Sequence, residues 1–266
     1  MNLLQKCGDT MAVSADYIAV IDSGVGGISV LRDLVRLMPN EQFLYFGDSA
    51  NAPYGTKSAE EVIRMTDATV KRLMTRGIKA LVVACNTATA VAIGMLREKY
   101  PDFIIIGIEP ALKPAVHQFP SGTVGIMATP VTLRGEKLKR LIAANPHPDI
   151  RLIPAPGLVE LVEAGLANSP QMDAFLTPVL GSFAGKLDAL VLGCTHYPFA
   201  AAAIHRILGD TTVLFDGGEG TARETLRRLR NADLLYNGPG CVVFENSLDD
   251  PHIYKLCESL MEEQYG

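Results

Sequence analysis

Short apolar, β-branched runs alternate with longer amphipathic segments along most of the chain. The apolar runs at Tyr17–Ile21, Gln42–Phe46, Ala80–Ala84, Phe103–Ile108, Thr123–Met127, Arg151–Pro154, Ala189–Leu192 and Thr212–Phe215 predict strands. Helical periodicity between them predicts helices over Ser58–Arg76, Ala88–Lys99, Leu133–Ala144, Met172–Leu180 and Gly220–Arg230. Strands that alternate with helices must be joined by crossovers, so the pattern predicts an α/β fold with mainly parallel sheets.

Two stretches of the pattern repeat. Lys79-Ala-Leu-Val-Val-Ala-Cys85-Asn86-Thr87 lines up without a gap on Asp188-Ala-Leu-Val-Leu-Gly-Cys194-Thr195-His196. Ala19-Val-Ile-Asp22-Ser23 can likewise be laid on Gly125-Ile-Met-Ala128-Thr129, at nearly the same offset. The agreement points to an internal duplication, although any two buried parallel strands resemble each other. It predicts two pseudo-symmetric α/β domains with the active site in the cleft between them. Pro110, in Ile108-Glu109-Pro110-Ala111, ends a strand and places the first crossing there. The strand at Val213–Phe215 and the helix after it are expected to return to the first domain. The expected division is therefore 1–110 plus 212–266 on the Cys85 side and 111–211 on the Cys194 side.

Composition narrows the function classes. The chain has 266 residues, 48% of them hydrophobic and 20% charged, enough to bury a full core in one or two domains. Its net charge of −5, with no Lys/Arg-rich stretch, argues against a nucleic-acid partner. Met1–Ala15 lacks the charged start, apolar run and cleavage site of a secretory signal, and no stretch approaches the roughly 20 apolar residues of a membrane span. A cytoplasmic protein without a membrane partner is expected, with Met11 as a second possible start besides Met1. The five cysteines are odd in number and include no C-x-x-C pair, so all are expected to be free thiols. Cys7, Cys241 and Cys257 are expected to be small buried hydrophobes.

Cys85 and Cys194 differ from the other three. Each follows an apolar strand and precedes small hydrogen-bonding residues, Asn86-Thr87 and Thr195-His196, where parallel α/β sheets bind ligands. A thiol at a helix N-terminus can have its pKa lowered toward neutrality and act as base or acid. Two such thiols facing one cleft suit the inversion of a stereocentre, in which one group removes a proton and another delivers one from the opposite face. Ser23, Asn86, Thr87 and Thr195, with backbone N–H groups, would supply hydrogen bonds to the charge developing on the α-carboxylate. The glycine-rich turn Asp22-Ser23-Gly24-Val25-Gly26-Gly27 has Ser29 where a dinucleotide fingerprint needs its third glycine. Its glycines instead allow close backbone approach to a small substrate, while Asp22 either caps a helix, holds an ammonium group or takes part in proton transfer. His196 can orient Cys194 or serve only a structural role. Cys194 and His196 lack a third ligand at zinc spacing, so no metal is expected. A Cys–His hydrolase would leave Cys85 without a role, and a non-catalytic amino-acid-binding protein of two lobes also fits the residues.

Asp22-Ser-Gly-Val-Gly-Gly27, Gly47-Asp48 followed by Pro53-Tyr54-Gly55, Ala84-Cys-Asn-Thr-Ala-Thr-Ala90, Gly107-Ile-Glu-Pro110 and Gly193-Cys-Thr-His-Tyr-Pro198 resemble the ordered motif set of bacterial glutamate racemases. Thr-His after the second cysteine favours that family over the related aspartate racemases, although a racemase acting on aspartate or another amino acid is the alternative. The resemblance implies cofactor-independent interconversion of L- and D-glutamate for peptidoglycan synthesis, in a homodimer. It implies that Cys85 takes the α-proton of D-glutamate and Cys194 that of L-glutamate. Asp22 would assist Cys85, and His196 with Glu163 would assist Cys194. Substrate contacts are implied for Asp22, Ser23, Pro53, Tyr54, Gly55, Asn86, Thr87, Thr129, Thr132, Thr195 and His196. Ala128 stands before Thr129 where many family members carry glycine.

Overall fold

The computed structural model describes residues 16–262. Cys7 and both candidate starts, Met1 and Met11, lie outside the described residues. In chain order the elements are β1 (Tyr17–Asp22), α1 (Ile28–Leu37), β2 (Gln42–Gly47), α2 (Ala59–Met74), β3 (Ile78–Val83), α3 (Asn86–Lys99) and β4 (Ile104–Gly107). Then follow α4 (Leu112–Gln118), β5 (Val124–Ala128), α5 (Pro130–Arg134), α6 (Glu136–Ala144), β6 (Ile150–Pro154), α7 (Leu158–Glu163) and α8 (Pro170–Leu180). The chain continues with β7 (Ala189–Leu192), α9 (Ala201–Leu208), β8 (Val213–Asp216), α10 (Gly218–Asn231), β9 (Cys241–Asn246) and α11 (Pro251–Glu262).

The strands form two all-parallel sheets, ordered β4-β3-β1-β2-β9 and β6-β5-β7-β8. Read from the other edge, the second sheet is β8-β7-β5-β6, the same order as β4-β3-β1-β2. The matched segments occupy equivalent places: β3 corresponds to β7, and β1 to β5. β9 is an addition at the outer edge of β2.

Three expectations are corrected. The strand at 213–216 does not return to the first sheet. It pairs with β7 from Ala189↔Val213 to Leu192↔Asp216, just as β4 pairs with β3. The chain crosses back after it, and α10 packs on α1 and β4. The helix expected over Leu133–Ala144 is two helices, because Gly135 is extended (φ −67°, ψ 140°) and caps α6 while ending α5. Cys241 is disulfide-bonded and only half-buried; Cys85, Cys194 and Cys257 are free. β9 and α11 escaped the sequence pattern, β9 because its apolar run is only Val242–Phe244 and α11 because its apolar positions are interrupted by polar ones.

Local signals still explain most of the elements. Ser58 and Glu61 form a reciprocal capping box at the start of α2, with Glu60 and Glu61 in its first turn and Lys71 and Arg72 in its last, complementing the helix dipole. β1, β3 and β7 are buried on both faces, which accounts for their continuous apolar runs. One apolar cluster runs unbroken between the halves, from Val20, Val25 and Ala84 to Val162, Leu192 and Tyr197. Among the described residues no helix is long and apolar enough to cross a membrane.

A buried ion pair fastens the long return from α10 to β9. Lys79 Nζ lies 2.7 Å from Glu41 Oε2, with side chains only 5% and 2% exposed. Lys79 also donates to the Leu234 carbonyl, and Glu41 Oε1 accepts from the Tyr236 backbone N–H. Removing one partner strands the other charge away from water. Lys79→Met is therefore expected to destabilise the fold by about 3–5 kcal/mol in chemical denaturation, and adding Glu41→Leu should recover most of that loss.

Candidate active site

The carboxyl ends of β1 and β3 in one sheet, and the segments after β5 and β7 in the other, converge on one buried region. Asp22 closes β1, and the turn to α1 follows. Asp22 Oδ1 accepts from the Gly24 N–H at 3.1 Å and Oδ2 from the Thr195 hydroxyl at 3.0 Å. Gly27, not Asp22, is the N-cap of α1, so the capping role is excluded. The Thr195–Asp22 bond joins the motif after β7 to the motif after β1.

The glycines of this turn have a more specific use than leaving space for substrate. A Cβ on Gly24 would lie 1.8 Å from Glu163 Oε1, and one on Gly26 would lie 2.2 Å from the His196 ring nitrogen Nδ1. The missing side chains admit Glu163 and His196 from the opposite half. Ser29, at the position that breaks the dinucleotide pattern, lies within hydrogen-bond distance of the Gly26 and Thr195 carbonyls, each at 2.9 Å from its Oγ. That contact between the halves was not anticipated from sequence, yet the departure from the fingerprint was its only trace.

His196 is 1% exposed. Its Nε2 lies 2.6 Å from Glu163 Oε1, and its Nδ1 lies 3.8 Å from Cys194 Sγ. The same Glu163 oxygen accepts the Val25 N–H at 2.8 Å. Burial alone would lower the His196 pKa, but its bonds to Cys194 and Glu163 and the charge of Glu163 hold it well above the ordinary 6.5. Burial would raise Glu163, yet His196 and the Val25 N–H hold its carboxyl below the ordinary 4.5. Glu163 is thus the anion of an ion pair at the end of α7 rather than a free surface carboxylate.

Cys85 is the N-cap of α3, and its sulfur accepts from the Ala88 N–H at 3.4 Å. Its thiol is directed to the Ser23 hydroxyl at 3.7 Å. The helix N-terminus does not bring this thiol toward neutrality as the sequence suggested. Burial, then the neighbouring Asp22, push it up to about 12 against the lowering by the Ala88 N–H. Cys194 is close enough to contribute to that rise. Burial likewise raises Asp22 against the opposing charge of His196 and its own hydrogen bonds. Cys194 has no such helix start, because the short turn Tyr197–Ala200 intervenes before α9.

A second junction lies beside the first. The hydroxyls of Thr87, Thr129 and Thr132 are mutually 3.1–3.5 Å apart, bringing α3 against α5. Asn86 is buried with neither its side-chain oxygen nor its nitrogen hydrogen-bonded. Such an orphaned amide is costly unless a ligand completes it. Tyr54 borders Cys85 and Gly55 packs against Thr129; the Ala52–Pro53 bond is cis. Ile21, Asp22, Tyr54, Thr66, Thr69, Cys85 and Ala88 line a small hollow on the Cys85 side. The Tyr54 hydroxyl donates to Asp48 at 2.6 Å, so the phenol faces the hollow as surface with its proton already used. Among the described residues, no group of three His, Cys, Asp or Glu side chains could hold a metal ion.

Asp22, Ser23, Cys85, Glu163, Cys194, Thr195 and His196 therefore meet at this junction, in matched chemistry on both sides: two thiols, each beside a polar partner, with one carboxylate and one carboxylate–imidazole pair. Comparison with known proteins gives the same direction. Residues 18–225 match the Asp/Glu/Hydantoin racemase family. A glutamate racemase of Clostridium acetobutylicum is 46% identical over 256 residues, covering 95% of this chain and 100% of that protein. Among solved structures, glutamate racemase from Thermus thermophilus, in complex with beta-chloro-D-alanine, is similar at TM-score 0.77 and 35% identity, covering 94% of each chain. The Francisella tularensis glutamate racemase, in complex with D-glutamate, is similar at TM-score 0.80 and 28% identity, covering 93% of this chain and 94% of that one.

Glu163→Gln removes the anion that holds the imidazolium. Histidine NMR titration should find His196 protonated well above pH 6.5 in the wild type and at a distinctly lower pKa in the variant. The sign of the stability effect follows from the two shifts. The raised His196 contributes stability that is full below pH 6.5 and lost as pH rises through its folded value. The lowered Glu163 contributes stability that is full above pH 4.5 and lost as pH falls through its folded value. The wild-type advantage over the variant should therefore peak between these limits, and a flat difference across pH would contradict the pairing.

Proposed function

The chain belongs to the Asp/Glu/Hydantoin racemase family, and from that premise we propose that it interconverts L- and D-glutamate by a two-thiol mechanism that needs no cofactor. The observation that carries the reading is the placing of Cys85 and Cys194 at equivalent strand ends, β3 and β7, within one buried cluster that the Thr195–Asp22 bond closes.

From L-glutamate, the Cys194 thiolate takes the α-proton: the Cα–H bond breaks, an S–H bond forms, and the electron pair passes into the α-carboxylate. The Cys85 thiol then gives its proton to the opposite face of Cα, leaving D-glutamate and a Cys85 thiolate. From D-glutamate the roles exchange. The His196 imidazolium, held by Glu163, compensates negative charge on Cys194, while Asp22 assists Cys85. Ser23, Asn86 and Thr87 donate to the substrate and its developing charge, while the Thr195 hydroxyl, whose proton goes to Asp22, can accept from the ammonium group. Thr129, Thr132 and the Pro53-Tyr54-Gly55 wall complete the pocket. The two domains that meet there are 1–110 with the chain after β8, and 111 to the end of β8. The reading extends to a cytoplasmic homodimer that supplies D-glutamate for peptidoglycan. The identity to glutamate racemases supports glutamate over aspartate as substrate.

Purified protein with reduced thiols, without added pyridoxal phosphate, metal or nucleotide, should exchange solvent deuterium into the α-position of both glutamate enantiomers. Absence of exchange with either one would sink the proposal, and faster exchange into aspartate would shift it to the sister activity. Cys85→Ser and Cys194→Ser should each slow racemisation by about 10²–10⁴-fold, the usual weight of a positioned acid or base. An unaffected rate in either variant contradicts the assignment of two opposed thiols.

A further inference from the structure

Asp48 directly follows β2 and is 5% exposed. Its backbone N–H donates to the Asp22 carbonyl at 2.9 Å, which docks it on the strand end that leads into the catalytic turn. Its carboxylate accepts the Tyr54 hydroxyl at 2.6 Å and the Asn51 side-chain amide at 3.0 and 3.1 Å. The loop between them is also fixed on its outer side: Asn246 donates to the Ser49 hydroxyl, and the Ala50 N–H donates to the Ser247 hydroxyl, both at 2.9 Å. The loop is therefore held from outside at the end of β9, and from inside by the Asp48 carboxylate, the buckle that ties Tyr54 to β2.

The position of the buckle matters for the cleft. Tyr54 lines the hollow beside Cys85. The next residue, Gly55, sits so close to the other half that a Cβ would lie 2.8 Å from Thr129 Cγ2. Hence the bond between Asp48 and Tyr54 decides how near this wall stands to the thiol and how tightly the loop seals against Thr129.

We propose that Asp48 is a positioning residue that holds the Tyr54–Gly55 wall against Cys85 and Thr129, setting how tightly the pocket grips its substrate. The effect on turnover rests on the racemase reading above; the effect on the thiol does not. The bond joins the phenol to Asp48 and not to the sulfur. Its loss loosens the grip on substrate and transition state alike, and such a loss appears in KM rather than kcat.

The test compares wild type, Asp48→Ala, Asp48→Asn, Tyr54→Phe and the double variant Asp48→Ala/Tyr54→Phe by two measurements. In the first, Asp48→Ala and Tyr54→Phe should each raise KM for both glutamate enantiomers by about 10-fold while kcat stays within about threefold, the double variant being no worse than the worse single. Asp48→Asn keeps an acceptor for the phenol and should restore most of the loss. In the second, alkylation followed by mass spectrometry should find Cys85 labelled about 10-fold faster in Asp48→Ala and Tyr54→Phe, with Cys257 unchanged as the control for general loosening. Tyr54→Phe alone decides the matter if Asp48→Ala does not fold. An unchanged KM, a fall in kcat instead, additive effects in the double variant, or equal acceleration at Cys85 and Cys257 would each overturn the proposal. If the wild type does not racemise glutamate, the racemase reading falls, and the labelling comparison still settles the role of Asp48.

Discussion

A single carboxylate oxygen, Glu163 Oε1, receives both the His196 ring and the Val25 N–H, at 2.6 and 2.8 Å. Through it the end of α7 is tied to the turn before α1 and to the segment after β7, three stretches far apart in the chain. An ionised carboxylate in a mostly buried place needs strong compensation, and here it has an imidazolium and a backbone donor. Those donors can reach it only because Gly24 and Gly26 have no side chains. Glycine in this turn is thus a condition for the electrostatics: any side chain at either position would force the two halves apart or expel one member of the pair. The apolar cluster around Val25, Val162 and Tyr197 surrounds the same junction and keeps water from competing for these bonds.

The duplicated architecture holds two thiols in equivalent places but gives them different company. Cys85 begins a long helix and lies near a carboxylate, and burial reinforces the effect of Asp22 in keeping its proton on. Cys194 begins no helix directly, and an imidazolium stands at its side instead. A reaction that alternately takes and gives a proton on opposite faces needs one group loaded and the other empty. The partners of the two thiols have diverged while the backbone frame is retained.

Much of this was readable in the residues, for reasons that can be named. β3 and β7 are buried on both faces, so their continuous apolar runs were plain, and the polar residues directly after each cysteine marked the strand ends. The internal match even contained the answer to an error. If β3 corresponds to β7, the strand after each should also correspond, which places β8 beside β7 as β4 lies beside β3. Reading Val213–Phe215 as a return to the first half ignored that implication. Gly135 split a helix because its extended backbone is a tertiary choice that helical periodicity does not register. The rise of the Cys85 pKa was hidden for a similar reason: the helix N-terminus is visible in sequence, whereas the depth of burial and the nearness of Asp22 emerge only when β1 and β3 are paired. Asp48 was seen only as part of a motif, since its partner Tyr54 already had a role as a pocket residue.

The site is assembled around groups whose charges are only partly balanced among themselves. Asp22 and Cys85 are pushed toward their neutral forms by burial, and Asn86 keeps both a donor and an acceptor unused. An amino acid brings the missing counterparts: an ammonium group for a carboxylate, and carboxylate oxygens for amide and hydroxyl donors. Such a ligand completes the Asn86 amide, and does so most fully when charge gathers on its α-carboxylate. A ligand without that spacing of charges leaves the buried Asn86 amide unpaired, so discrimination follows from the same incomplete hydrogen bonding.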